Sequence, residues 1–253
     1  MSDNGQVLQD GPAISFEQVE KGFDARKVLD RVSFSVAHGE ALCILGRSGT
    51  GKSVTLKLMI GLLMADAGKV LVEGEDMATL EEDGLMRVRR RMGYLFQSAA
   101  LFDSFTLNEN LAMPLHRLDG SKSREEIRQA VEETLHEVGL EKDGNKLPSA
   151  LSGGMQKRAG LARALVLQPK ILLVDEPSSG LDRITAGEID QLLMKVKAER
   201  HTTMVIVTHD IHGARKIADK FAVLDQGQLL AFGPPAELDK RQDSRLQQFI
   251  SER

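Results

Sequence analysis

Residues 41–53, ALCILGRSGTGKS, decide how the rest of the chain is read. Ala41 to Leu45 is an apolar run of strand type. Gly46, Arg47, Ser48, Gly49, Thr50 and Gly51 form a glycine-rich turn, and Lys52-Ser53 leads into SVTLKLMIGLLM, apolar at helical spacing. A strand, the spacing G-x-x-x-x-G-K-S and a helix together describe a phosphate-binding loop. The residue types follow from the ligand's charge. Glycines let the backbone wrap closely around phosphate oxygens, so successive N–H groups and the helix N-terminus point at the anion. Lys52 brings a positive charge to the β- and γ-phosphates, and the Ser53 hydroxyl suits Mg²⁺, a hard ion that prefers oxygen. A chance match in a chain of this length has odds of roughly one in a hundred.

Further along, Ile171-Leu-Leu-Val-Asp175-Glu176-Pro177 is an apolar strand ending in two carboxylates. Ligands of open α/β sheets bind at the carboxyl edge of the strands, where this stretch delivers Asp175. Asp175 is suited to hold magnesium through water, and Glu176 to polarise an attacking water. TMVIVTH ends in His209, whose strand is expected to place it beside Asp175 and Lys52. The other histidines (38, 116, 136, 201 and 212) are scattered and suggest no metal cluster with acidic or cysteine ligands.

The runs ILLV and MVIV, separated by helical stretches, read as parallel strands buried on both faces. KFAVLD and GQLLAFG add two more strands. Before the loop, ISFEQVEKGF and VLDRVSFSV read as closely spaced strands of an antiparallel patch, and KVLVEGEDM as a strand and turn. Residues 81–91 look helical. From about 98 to 164 the pattern is helical: Ser123-Arg-Glu-Glu126 is a capping box that opens a helix closed by Gly139, and a second helix is expected from Met155 to Leu167. The expected organisation is a polar tail over 1–12, an α/β domain over 13–240 with its helical insertion at 98–164, and a short tail over 241–253.

Of the 253 residues, 42% are hydrophobic and 28% charged, which is ordinary for a folded domain. A net charge of −4 without a long basic tract speaks against nucleic acid as a partner. The one cysteine, Cys43, excludes a disulfide framework and reads as a packed residue in its strand. The longest apolar run, residues 58–65, falls far short of the roughly 18–20 residues of a membrane span. The N-terminus lacks the build of a signal peptide. The chain is therefore expected in the cytosol, or on a membrane through a partner.

Leu151-Ser-Gly-Gly-Met-Gln156 lies about 20 residues before Asp175. Here the chain resembles the ATP-binding cassette ATPases that drive ABC transporters, over roughly residues 14–235 and with their motifs in order. The resemblance implies a P-loop NTPase core of RecA-like type with an antiparallel β patch and an inserted α-helical subdomain. It makes Phe23 the aromatic residue that stacks on adenine, residues 46–53 Walker A, Gln97 the Q-loop residue and magnesium ligand, and residues 171–176 Walker B. Asp182 in Ser179-Gly-Leu-Asp182 becomes the D-loop residue and His209 the switch histidine. ATP and Mg²⁺ are the implied cofactors, with Ser53, Gln97 and Asp175 around the metal. Ser152, Gly153, Gly154 and Gln156 of the signature, with Asp182, are expected to meet the γ-phosphate held by another subunit. A head-to-tail homodimer would then hold two equivalent composite sites.

FQSAALFDSFTLNENLAMPL (96–115) and LSGGMQKRAGLARAL are similar to the ATPase subunits of Mla- and Mce-type lipid transporters of Gram-negative envelopes. That similarity implies work at the cytoplasmic face of the inner membrane, peripheral through integral permease subunits. An accessory cytoplasmic subunit and a lipid-binding periplasmic subunit would accompany them. The alternatives are an importer of amino acids, metal ions or other solutes, and a soluble ATPase serving iron–sulfur assembly, translation or DNA repair. A single cassette, an acidic balance and no coiled-coil insertion speak against the soluble class. A GTPase is disfavoured because Asn145-Lys146 is followed by Leu147-Pro148 rather than by the guanine motif. A non-hydrolysing sensor would need Glu176 or His209 replaced. The basic run Arg87-Val-Arg-Arg-Arg91 is expected to be a solvated helix face balanced by Glu81, Glu82 and Asp83, with lipid headgroups or a transporter partner as the other reading. Phe102, Phe105, Leu107, Leu111 and Leu115 fit either a helical core or a groove for a partner's helix.

Overall fold

The computed structural model describes residues 11–24, 26–118 and 122–251, so most of the expected N-terminal tail lies outside the described residues. In chain order the elements begin with β1 (Ile14–Phe23), β2 (Arg26–Val36), β3 (Ala41–Leu45), α1 (Lys52–Met59), β4 (Ala67–Val72) and β5 (Glu75–Asp76). Then come α2 (Glu82–Arg89), β6 (Met92–Leu95), α3 (Leu107–Leu118), α4 (Arg124–Glu137), a 3₁₀ turn at Pro148–Ala150 and α5 (Gly153–Leu165). The chain continues with β7 (Ile171–Asp175), α6 (Arg183–Arg200), β8 (Thr203–Val207), α7 (Ile211–Ile217), β9 (Lys220–Asp225), β10 (Gln228–Gly233), α8 (Pro235–Leu238) and α9 (Ser244–Ile250).

Two sheets pack on each other. The first, in the order β2-β1-β4-β5, is antiparallel. The second runs β10-β9-β3-β8-β7-β6 and is parallel apart from β10 at its edge. Strict alternation explains why its central strands are apolar throughout. Leu42 and Ile44 of β3, Leu173 of β7 and Val205 of β8 enter the core shared with the first sheet and α1. Their neighbours Cys43, Leu172, Val174 and Ile206 enter a second core under α5, α6 and α7. Cys43 is wholly buried, and desolvation drives its thiol pKa upward, as suits a packing residue. On the other sheet, Phe16 faces Phe34 across β1 and β2 with ring centroids 4.6 Å apart. A third core, built on Leu107, Leu111, Leu115, Val131 and Leu135, holds the helices between β6 and β7 together.

Several elements depart from the sequence reading. β6 was hidden because it is four residues long and contains Gly93. A Cβ there would lie 2.3 Å from the Ala164 carbonyl, so only glycine lets α5 approach this strand. α1 stops at Met59, ahead of Gly61 in the left-handed region (φ 68°). α5 starts at Gly153 rather than Met155 because Ser152 caps it: Met155 N–H donates to Ser152 Oγ at 3.3 Å. The capping box at Ser123 and Glu126 forms as expected. Residues 244–250, read as a tail, are helix α9, with Leu246 and Ile250 buried in the second core. The basic run is only partly a solvated face. Arg87 pairs with Glu75, while Arg89 donates to the carbonyls of Ile60 and Gly61 at 3.1 and 2.9 Å and anchors the end of α1.

Candidate active site

Strand order brings the three expected segments together. β8 lies between β3 and β7, so the chain leaving β8 emerges between the phosphate loop and the two carboxylates. These segments, with the end of β1, surround a cavity of about 710 Å³. Phe23, Gly46, Arg47, Ser48, Gly49, Gly51, Lys52, Ser53, Gln97, Glu176 and His209 all line it. Thr50 braces the loop from within, its hydroxyl donating to the Arg47 carbonyl at 2.9 Å. Gly51 has φ 98° and sits where a Cβ would touch Leu29 at 2.8 Å, so glycine is required at the turn into α1. No side chain caps α1, which leaves its first N–H groups directed at the cavity.

The charged groups form a connected set. Lys52 is 8% exposed; its Nζ donates to the carbonyls of Gly46 and Arg47 at 2.9 and 3.2 Å and lies 3.8 Å from Glu176 Oε1. Burial lowers its pKa, while the charges of Glu176 and Asp175 act in the opposite direction. Ser53 Oγ donates to Asp175 Oδ1 at 2.9 Å. Burial raises the Asp175 pKa, partly offset by that hydrogen bond, with the charge of Glu176 adding to the rise. His209 contacts Glu176, with Nδ1 2.7 Å from Oε2, rather than Asp175. Glu176 has φ 48°, a conformation that costs a non-glycine residue of order 1–3 kcal/mol and is retained where surrounding bonds enforce it. Its N–H donates to Val207 O at 2.8 Å, and its carbonyl accepts from Ser179 N–H at 3.2 Å. Gln97 Nε2 reaches Ser179 Oγ at 3.4 Å.

The residues expected to act on a second subunit's nucleotide stand apart from this cavity. Ser152 and Gly153 are exposed at the start of α5, and Gly154 is buried behind them. Asp182 caps α6, accepting from Ile184 N–H, Thr185 N–H and Thr185 Oγ1, and the Thr185 hydroxyl leads in drawing its pKa down. Gln156 is bonded within its own chain. Its Nε2 donates to the carbonyls of Pro148 and Leu151 at 3.0 and 3.4 Å, because a side chain on this helix face points back over the preceding turn.

Beside Gln97 lies an apolar groove of about 500 Å³, lined by Leu62, Tyr94, Phe96, Phe102, Met113 and Pro114 among others. The two sequence readings of this segment divide between residues. Leu107, Leu111 and Leu115 are fully buried, whereas Phe102 is 46% exposed at the groove. Asn110, fully buried, holds Phe102 outward: it accepts from Phe102 N–H at 2.8 Å and donates to the carbonyls of Phe102, Phe105 and Thr106. On another side of the phosphate loop, Arg47 Nη2 lies 3.4 Å from Gln248 Oε1, and its guanidinium lies 5.8 Å from the Phe249 ring of α9.

Comparison with known proteins agrees with this geometry. Residues 29–179 match the family model described as ABC transporter. A probable ribonucleotide transport ATP-binding protein of Mycobacterium leprae is 42% identical over 243 residues, covering 96% of this chain and 70% of that protein. A methionine import ATP-binding protein of Pseudomonas fluorescens is 39% identical over 229 residues, covering 89% and 68%. Among solved structures, a dimeric ATP-binding cassette in a post-hydrolysis state with ADP and phosphate superposes with a TM-score of 0.81. It is 34% identical and covers 87% of this chain and 98% of its own. The chain belongs to the ABC transporter family, as an ATP-binding subunit with ATP hydrolase activity.

Proposed function

We propose that this subunit couples ATP hydrolysis to lipid movement through a membrane permease, working as a homodimer with two composite nucleotide sites. The observation that carries the ATP chemistry is the meeting of Lys52, Ser53, Glu176 and His209 at one cavity, with buried Asp175 hydrogen-bonded to Ser53 at its wall. Phe23 offers adenine a ring at the cavity mouth. The N–H groups of residues 46–53 and the Lys52 ammonium hold the phosphates. The donor set fits Mg²⁺: Ser53 Oγ and Asp175 Oδ1 are oxygens 2.9 Å apart, and burial leaves the Asp175 carboxylate in need of a cation. Among the described residues no three His, Cys, Asp or Glu side chains gather into a protein-only cage. Such a site suits an ion bound partly by phosphate, and Ser53, Asp175 and Gln97 would hold it. When bound, the ion neutralises charge on the phosphate oxygens. Glu176 accepts a proton from the attacking water, and His209, hydrogen-bonded to it, fixes the carboxylate's direction.

Ser152, Gly153, Gly154 and Asp182 are assigned to the partner's γ-phosphate. They lie at exposed helix starts, and a dimeric cassette is among the structural relatives. The apolar groove is assigned to a helix of the permease, whose insertion would cover Phe102 and Leu62. The lipid reading rests on the resemblance of residues 96–115 and of the signature helix to lipid-transporter ATPases. An accessory cytoplasmic subunit and a periplasmic lipid carrier belong to the same proposal, as does attachment to the inner membrane. A second reading, solute import, draws on the two relatives, named for ribonucleotide transport and methionine import. Purification of the tagged chain from detergent extract separates them: co-isolation with a permease and a lipid-binding periplasmic protein supports lipid transport, whereas a solute-binding protein supports import. For the composite site, Glu176→Gln in Mg-ATP should sediment as a dimer; a monomer, both alone and within the membrane assembly, would remove the proposal.

A further inference from the structure

Lys157, one turn into α5 and directly after the signature residues 151–156, is a buried cation given no role above. It is 6% exposed, and none of its charged neighbours lies within ion-pair distance of it among the described residues. Its Nζ instead donates to two carbonyls, those of Gln97 and, at 3.0 Å, Glu176. Desolvation lowers its pKa, opposed by the charges of Asp175 and Glu176. An ammonium taken out of water and given only backbone oxygens is a costly choice where an apolar residue would pack. The carbonyls it joins explain the choice. Gln97 belongs to the loop beside the groove, and Glu176 is the left-handed residue at the end of β7. Farther along α5, Arg163 donates to the carbonyls of Ala99 and Ala100, both also in the left-handed region (φ 60° and 49°). One helix, which starts with the exposed Ser152, therefore grips the Gln97 loop at three carbonyls and the Glu176 turn at one.

We propose that Lys157 is a positioning residue for hydrolysis, tying the Glu176 turn and the Gln97 loop to the signature helix so that the two ends of a composite site move together. This rests on the reading of Glu176 as the base. Removing the ammonium takes the lysine donor from the Gln97 carbonyl and leaves the Glu176 carbonyl held by Ser179 N–H alone, which loosens the strained turn while the phosphate loop is untouched.

The test compares the purified full chain with Lys157→Met, Lys157→Arg and Glu176→Gln. Phosphate release gives kcat and KM, a fluorescent ATP analogue gives affinity, and circular dichroism follows unfolding. Lys157→Met should lower kcat about 20-fold or more with analogue affinity within about three-fold, and Lys157→Arg should recover at least about a quarter of the wild-type kcat. If Lys157→Met does not fold, Lys157→Gln is read in its place under the same criteria. A kcat within two-fold of wild type, equal losses of kcat and affinity, or a folded Lys157→Arg as slow as Lys157→Met would each overturn the inference. Glu176→Gln separates the two levels. If it turns over normally, the reading of the base falls; if it is inactive while Lys157→Met is normal, only the positioning role falls.

Discussion

The cavity behind the phosphate loop and the face formed by the starts of α5 and α6 use similar residues, yet they stand in opposite situations. At the cavity, buried Lys52 and Glu176 face each other and Glu176 meets His209, while buried Asp175 accepts from Ser53. On the other face, among the described residues, Ser152 and Asp182 bond only to their own helix starts, and both are open to solvent. A set of groups that is complete in one chain can bind a ligand alone. A set that is folded, capped and left facing outward is shaped for something another molecule brings. On the proposed reading the two regions are halves of one composite site, and perturbing each should damage a different measurement.

Glu176→Gln should produce the largest effect, lowering steady-state turnover about 100-fold or more while nucleotide still binds, since an amide cannot take the proton. Next, Lys52→Ala should weaken binding of a fluorescent ATP analogue about ten-fold or more by removing charge from the phosphates; unchanged affinity would contradict the cavity as the nucleotide site. Ser152→Arg probes the other half. It should abolish Mg-ATP-driven dimerisation yet leave the analogue's affinity within about two-fold, with a helix-cap loss of only about 1 kcal/mol. Mixing inactive Lys52→Ala with inactive Ser152→Arg sharpens the comparison, because each mixed dimer keeps one undamaged composite site. Recovery of roughly a quarter of wild-type turnover is expected, and none if both regions serve a single chain.

Two smaller effects follow. Phe102→Glu should reduce co-purification with membrane subunits by more than half while unfolding shifts by less than about 3 °C, since Phe102 is only half-buried. Equal losses would make it a core residue. Asp175 should reveal the cost of preparing the site. Its folded-state pKa is raised, so ionisation disfavours the fold as pH climbs through the window above 3.8. Asp175→Asn removes that penalty and should raise the melting temperature of the nucleotide-free chain at pH 7 by about 1–3 °C, although hydrolysis is lost. The gain should shrink as pH falls and be lost below 3.8, as the carboxyl becomes protonated in both states.

What the sequence showed and what it hid divide along physical lines. Residues 41–53 and 171–176 were legible because apolar runs and glycine spacing are local signals, and the strand order places His209 between them. The partner of His209 was not legible, since the left-handed backbone at Glu176 redirects that carboxylate away from the direction Asp175 takes. β6 was hidden by Gly93, whose reason is a contact 71 residues away in sequence, with Ala164. Gln156 reads as part of the signature, and its bonds to two carbonyls at the 3₁₀ turn were not legible. Lys157 carried a signal that could have been used: it precedes the buried Leu161 and Ala164 by four and seven residues, so a cation stands in the helix's apolar stripe. α9 was read as a tail because seven residues with charged flanks carry too little periodicity to outweigh their position.

The contact of Arg47 with Gln248 and Phe249 bears on how the molecule can be instrumented. Ser251 lines a cavity together with Gly46 and Arg47, so a fluorophore carried on residue 251 itself is held beside the phosphate loop. An optical label there would report nucleotide entry directly, and a bulky affinity handle there would obstruct it.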